Sequence, residues 1–330
     1  VASELREKLK DVLRPRRIGG RLRNRNATYE SAFRELRSRI GDHLRLPPDS
    51  FVDGKALLVL GSLGPGGAEK QAALTAAGLK RSSRWEPVVG CNGLEGTAGF
   101  HVDWLTECRV PVAQVPITHP DMEKGEVLPE VLRWSQDFEH LGFQNIAHVV
   151  LSYACFIRDH RPQIVHTWMD YSNVLAGLAA DLVGVPGLVL SGRSVAPDNF
   201  SIFQPYMKPG YLDLHRSRPF VLSNNSEAGA IDYRRWLGLP ERPIELIRNG
   251  FHHPGPGARD LDLRAQSGFS REAKVVGGVI RFSEEKQPFL WIEVAAEVLE
   301  SLPETRFVLL GDGVLYEEAV AQVEARGLQR

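Results

Sequence analysis

The sequence predicts an α/β protein: two Rossmann-like domains, the second incomplete, behind a basic helical extension. Three observations carry this. From residue 55 onward, short apolar runs alternate with amphipathic stretches, the order that builds parallel sheets wound by helices. The run at 56–60, ALLVL, is apolar without alternation, as a strand buried on both faces must be. A loop with four glycines and a proline follows at 61–67 and opens into a helix rich in alanine and leucine.

Residues 1–48 stand apart. They hold thirteen Lys and Arg against six Asp and Glu, a balance of +7 in a chain whose net charge is −1. Helices are expected at 3–13 and 28–44, separated by Arg14-Pro15-Arg16-Arg17 and Gly19-Gly20. Phe33, Leu36, Ile40 and Leu44 recur at spacings of three and four and form one apolar stripe. That stripe suits either the neighbouring sheet or, with the surrounding cations, an anionic membrane surface. Few aromatics interleave with the charges, so nucleic acid is not an expected partner.

Pro47-Pro48-Asp49 closes the extension. Strands are then expected at 56–60, 85–89, 112–115, 163–166, 187–190, 220–223 and 244–247. Helices are expected between them at 68–79, 128–138, 146–159, 173–182 and 226–237. His253-Pro254-Gly255-Pro256-Gly257 is the strongest punctuation in the chain and reads as a linker. Beyond it come a strand at 274–280, a helix at 288–299, a strand at 306–310 and a helix at 314–326. The expected division is therefore an extension at 1–48, a domain at 49–250 and the start of another at 251–330. Two strand–helix units are too few for a complete Rossmann-like sheet.

Hydrophobic residues make up 43% of the chain and charged ones 25%, as in soluble globular proteins. Cys91, Cys108 and Cys155 are odd in number and widely spaced, so neither a metal motif nor a disulfide framework is expected. With no apolar leader at the charged N-terminus, a cytoplasmic location is expected, peripheral to the inner membrane face if the extension binds lipid.

The order strand, glycine-rich turn, helix gathers backbone N–H groups at a helix N-terminus, which suits an anion. The wording excludes two familiar phosphate loops. Lys70 is followed by Gln71 and not by Ser or Thr, and GxGxxG is absent. In the second domain, Arg281 and Lys286 follow a strand, where the ligands of open α/β sheets sit. An Arg fork and a Lys point charge can hold a diphosphate and stabilise it as it leaves.

These stretches together resemble the GT-B glycosyltransferases of family 4. Gly66-Gly67-Ala68-Glu69-Lys70-Gln71 is similar to the GGAER/K motif that opens their N-terminal domain. Ile247-Arg248-Asn249-Gly250-Phe251 resembles the I-P-N-G-V of the interdomain crossing. Arg281 and Lys286 match the basic pair of GR-x-x-x-EKG, with Gln287 in place of the last Gly, and Gly311-Asp312-Gly313 matches the later loop. Val165-His166-Thr167-Trp168 and residues 173–180 resemble the segments facing the cleft. The resemblance spans roughly residues 55–330.

It implies transfer of a sugar from a nucleotide-diphosphate sugar, most commonly a UDP-sugar, to a hydroxyl of a glycan or lipid-linked acceptor. It implies retention of anomeric configuration, with no metal and no cofactor beyond the donor itself. Gly66, Gly67, Arg281 and Lys286 would address the donor diphosphate, and Glu69, Lys70, Arg193 and Asn249 the cleft and acceptor. His166, or Asp170 nearby, would be the catalytic group. Many relatives carry His-x-His at the cleft, whereas here Trp168 replaces the second His. A lone His after a strand is also a common structural hydrogen-bonding residue. The alternatives are a sugar-nucleotide epimerase of the same fold and a non-catalytic binding protein.

Overall fold

The computed structural model describes residues 28–116, 127–251 and 263–329. The helix expected at 3–13 and the linker at 253–257 lie outside them. The chain divides into two compact units, Val1–His252 and His253–Arg330.

The first unit is built on a seven-stranded sheet in which every pairing is parallel. Its strands are β1 (Val52–Ser62), β2 (Glu86–Gly93), β3 (Val112–Gln114), β4 (Pro162–Trp168), β5 (Gly187–Gly192), β6 (Val221–Asn224) and β7 (Glu245–Leu246), in the order β3-β2-β1-β4-β5-β6-β7. The order reverses between β1 and β4. At such a switch point the loops leaving the carboxyl ends of the two strands diverge and open a crevice. β1 shows why its sequence does not alternate. Leu57 and Val59 enter the core on one face, while Ala56, Leu58 and Leu60 enter a separate core on the other.

On the first face lie α1 (Tyr29–Leu44), α5 (Phe143–His160), α6 (Asp170–Val183) and α7 (Met207–Ser217); α2 (Gly67–Arg81) supplies Ala72, Ala73 and Ala76 to the second. α3 (Val102–Glu107), α4 (Val127–Trp134) and α8 (Glu227–Leu237) complete the unit. A 3₁₀ stretch (Ser135–Leu141) follows α4, so the helix expected at 128–138 ends four residues early.

The stripe on α1 is core. Phe33, Leu36, Ile40 and Leu44 are between 0 and 3% exposed, and Phe33 meets Phe143 edge-on with ring centroids 5.3 Å apart. Arg37, on the same helix, forms ion pairs with Asp181 of α6 and Asp213 of α7. The four apolar side chains are therefore unavailable to a bilayer, and α1 is not a separate extension but part of the first unit. No helix among the described residues is long and apolar enough to cross a membrane.

α7, like α3, falls where no element was expected from the sequence, and it contains the local breaker pair Pro209-Gly210. Pro209 sits in the first helical turn, where no intrahelical N–H bond is lost. Gly210 permits close approach: a Cβ there would lie 2.3 Å from Cγ1 of Val174 on α6.

The described part of the second unit holds the short α9 (Leu263–Gln266), β8 (Val275–Val279), α10 (Pro288–Ser301), β9 (Arg306–Leu310) and α11 (Tyr316–Ala325) in that order. β8 and β9 pair in parallel around a small core of Phe282, Ile292 and Ala319.

Candidate active site

The candidate residues of the first unit collect where β1, β4, β5 and β7 end. After β1, Leu63 is buried and donates its N–H to the Ala98 carbonyl, while its own carbonyl accepts from His101 N–H, so the loop is fixed by backbone contacts to the segment after β2. Gly66 precedes α2 as its N-cap residue. A Cβ on Gly66 would lie 2.1 Å from Oε2 of Glu69. Gly66 thus leaves room for the Glu69 carboxylate to fold back over the first turn, where negative charge favours the helix dipole. A phosphate at that turn would meet this carboxylate. Gly67 is different: its Cβ direction is open and its φ is ordinary. Nothing within the unit requires a glycine there. Lys70 is exposed; burial, and then the Lys70 charge, lower the pKa of His101.

α2 is tied to the end of the unit by Gln71. Its side-chain amide donates to the Gly250 carbonyl at 2.8 Å and accepts the Gly250 N–H at 2.7 Å. The neighbouring Asn249 accepts a hydrogen bond from Arg193, which leaves the end of β5. The Arg193 guanidinium lies 4.7 Å from the centroid of Trp168, the last residue of β4. His166 is 4.9 Å from that same ring. Arg193, Asn249, Trp168 and His166 therefore form one cluster.

His166 Nε2 lies 2.8 Å from Oγ of Ser191, which lies 2.7 Å from Oγ of Ser223. Burial, and then the positive Arg193, lower the His166 pKa to about 3. The imidazole is neutral at physiological pH and far too weak a base to collect a proton there. Of the two roles open to it from the sequence, this geometry supports the hydrogen-bonding one.

Asp170 is withdrawn into the interior. It is 8% exposed, and its Oδ1 accepts from the hydroxyls of Tyr211 on α7 at 2.9 Å and Tyr233 on α8 at 2.6 Å. Burial raises its pKa, and the two tyrosines partly offset that. Its neighbour Asn173 makes four side-chain bonds: it accepts from Thr167 Oγ1 and Ser191 N–H, and donates to the Ser191 carbonyl and Tyr211 Oη. Between them Met169 is held at φ 67°, ψ 155°. A non-glycine residue in that region costs on the order of 1–3 kcal/mol and persists only where its surroundings over-determine it. Met169 N–H donates to Ser191 and its carbonyl accepts from Asn173 N–H. Asp170 and Asn173 thus brace the sharp β4–α6 turn that presents Trp168, and Asp170 is not a reacting group on this geometry.

In the second unit Arg281 and Lys286 are exposed; Arg281 precedes a 3₁₀ turn (Glu284–Lys286) that Lys286 ends. Arg281 donates to Glu285 Oε1 at 2.8 Å. Gln287 adopts φ 52°, ψ 52°, a left-handed conformation that glycine takes at no steric cost. The loop Gly311-Asp312-Gly313 pins the basic segment. Phe282 N–H donates to Asp312, and a Cβ on Gly311 or Gly313 would lie 1.8 Å from the Ile280 carbonyl oxygen or 2.4 Å from that of Phe282. No group of metal-binding side chains occurs among the described residues.

Ser191, Ser223, Tyr211 and Tyr233 carry no local signal in the sequence. Asn173 and Gln71 lie in quoted motifs, residues 173–180 and GGAEKQ, but neither was given a role there.

No protein-family model matches the chain. The Vi polysaccharide biosynthesis protein VipC/TviE of Salmonella typhi is 28% identical over 305 residues, covering 86% of this chain and 52% of that protein. The chain thus spans about half the length of this curated relative. Among solved structures, TarM is similar with a TM-score of 0.54 at 10% identity, over 84% of this chain and 75% of that one. A Staphylococcus aureus TarM variant, solved with Fondaparinux, alpha-GlcNAc-glycerol and UDP, gives a TM-score of 0.52 at 11% identity, over 83% and 76%. The expected α/β fold of GT-B type is the fold found.

Proposed function

We propose that the chain belongs to a glycosyltransferase of polysaccharide or glycolipid biosynthesis, moving a sugar from a UDP-sugar to a hydroxyl acceptor with retention of configuration. The observation that carries this reading is the gathering of Arg193, Asn249, Trp168 and the Gln71–Gly250 clasp at the carboxyl edge of the parallel sheet, beside its switch point. Support comes from the relative in Vi polysaccharide biosynthesis and from the fold shared with TarM, one form of which was solved with UDP.

In this reading the first unit takes the acceptor, and Arg281 and Lys286 take the donor diphosphate. They act in place of a divalent cation, stabilising negative charge as the nucleotide leaves. Arg281 would exchange its Glu285 partner for phosphate oxygens. His166 stays neutral and braces Trp168 and Ser191, taking no proton in the reaction.

The test is incubation of the intact polypeptide with UDP-sugars, with and without glycan acceptors, in the presence of a chelator. The expected result is acceptor-dependent release of UDP that survives chelation and is cut at least about tenfold by Arg281→Ala or Lys286→Ala, each of which removes charge-assisted contacts. Acceptor-independent formation of an epimeric UDP-sugar would assign an epimerase instead. Wild-type rates in both variants would remove the diphosphate assignment.

A further inference from the structure

Arg193 is a half-buried cation without an acid. Its Nε is shielded from solvent and has no hydrogen-bond partner among the described residues, and one Nη donates to the neutral amide of Asn249. No carboxylate pairs with it among the described residues. Beneath it the indole N–H of Trp168, a residue only 3% exposed, has no acceptor among the described residues either. Arg37 in the same unit instead faces two carboxylates. Cations withdrawn from water are normally paired, because an uncompensated one is costly. Burial lowers the Arg193 pKa, yet a guanidinium keeps its charge. What the first unit offers at this edge is therefore a fixed positive charge, stacked on an aromatic face, with donors left over.

We propose that Arg193 is an anion-recognition residue, and that it binds an oxyanion, carboxylate or phosphate, carried by the acceptor glycan. Assignment to the acceptor rests on the transferase reading above, in which the donor diphosphate belongs to Arg281 and Lys286. The chemistry fits a guanidinium: stacking on Trp168 and the bond to Asn249 fix its plane, and its free Nη N–H groups are the ones left to meet a planar or tetrahedral oxyanion. Asn249 holds the fork without neutralising it.

The experiment is calorimetric titration of the intact polypeptide with a hexuronate, a hexose 6-phosphate, an uncharged hexose and, separately, UDP. It is run on the wild type and on Arg193→Gln, Arg193→Lys and Arg281→Ala, each checked for an unchanged melting profile. One of the acidic sugars is expected to bind the wild type about tenfold more tightly than the uncharged hexose, the size of effect a charge-assisted pair supplies. Which of them does so identifies the oxyanion. Arg193→Gln should abolish that preference, Arg193→Lys should weaken it through loss of the fork, and Arg281→Ala should leave it intact while weakening UDP. Equal binding of acidic and uncharged sugars to the wild type, or a preference retained in both Arg193 variants, would overturn the proposal. Failure of the wild type to bind UDP would count against the transferase reading alone, since the sugar titrations do not depend on it.

Discussion

At the scale of the residue, His166 shows how an environment selects one role from two. Its sequence position allowed a catalytic base, but burial and Arg193 hold it neutral down to a pH of about 3. The consequence for stability has a definite sign. Between the ordinary histidine pKa near 6.5 and about 3, the unfolded chain binds a proton at this site that the folded protein refuses. Stability from this group is therefore highest above pH 6.5 and falls as pH drops through that window, with a slope of up to ~1.4 kcal/mol per pH unit. Replacing His166 with Asn should flatten the pH dependence of denaturant unfolding between pH 6 and 4 relative to the wild type. Parallel curves for the two proteins would show that the imidazole titrates normally. The presence of a histidine after an apolar strand was legible in the sequence; its partners were not. Ser191 lies 25 positions away and Arg193 27, and only the pairing of β4 with β5 brings them alongside.

Elements repeat the pattern. Strands β1 to β9 were legible because most carry a short apolar run near turn residues, and the chain alternates them with helices. α7 was not, because its Pro-Gly start is a local breaker signal overridden by packing on Val174. With α7 unread, Tyr211 was unread too, and Asp170 looked like a polar group free for chemistry when it is the acceptor for two buried hydroxyls. The GDG loop is the reverse case, a motif noted in the sequence only for its family resemblance that has a structural job. Gly311 and Gly313 pass against the backbone of Ile280 and Phe282, so an added Cβ meets carbonyl oxygens that cannot swing aside. Gly311→Ala or Gly313→Ala should destabilise the second unit by about 2 kcal/mol or more, through displaced backbone and a lost Phe282–Asp312 bond. At Gly66 the obstructing atom is instead the tip of a Glu side chain that can turn away, so Gly66→Ala should cost under about 1 kcal/mol. Urea unfolding of these variants, followed by probes in each unit, checks the ranking; a Gly66 variant as damaged as Gly311→Ala would contradict it.

On the scale of the whole molecule, the two units differ sharply in how much they bury. The first encloses its sheet between two cores, and β1 contributes fully buried residues to both. The second closes over Phe282, Ile292 and Ala319, with Val279, Leu290 and Val294 more than half exposed. Opening free energy follows buried apolar contact, so amides of β1, β4 and β5 should exchange with solvent slowest and those of β8 and β9 fastest. A unit of low intrinsic stability is also the one whose stability responds most visibly to a bound ligand. A ligand that binds only the folded form adds about 2.7 kcal/mol at one hundred times its Kd. If Arg281 and Lys286 hold the donor diphosphate, saturating UDP should slow exchange at residues 280–287 and 311–313 together, because the Phe282–Asp312 and Leu315–Phe282 bonds couple the two segments. The same titration on Arg281→Ala should lose this protection. Hydrogen exchange followed by mass spectrometry reads both units in one experiment. Protection confined to the loop at 61–67 and the first turn of α2 would move the diphosphate to the first unit, where the Glu69 carboxylate would have to leave its place over Gly66 to admit it.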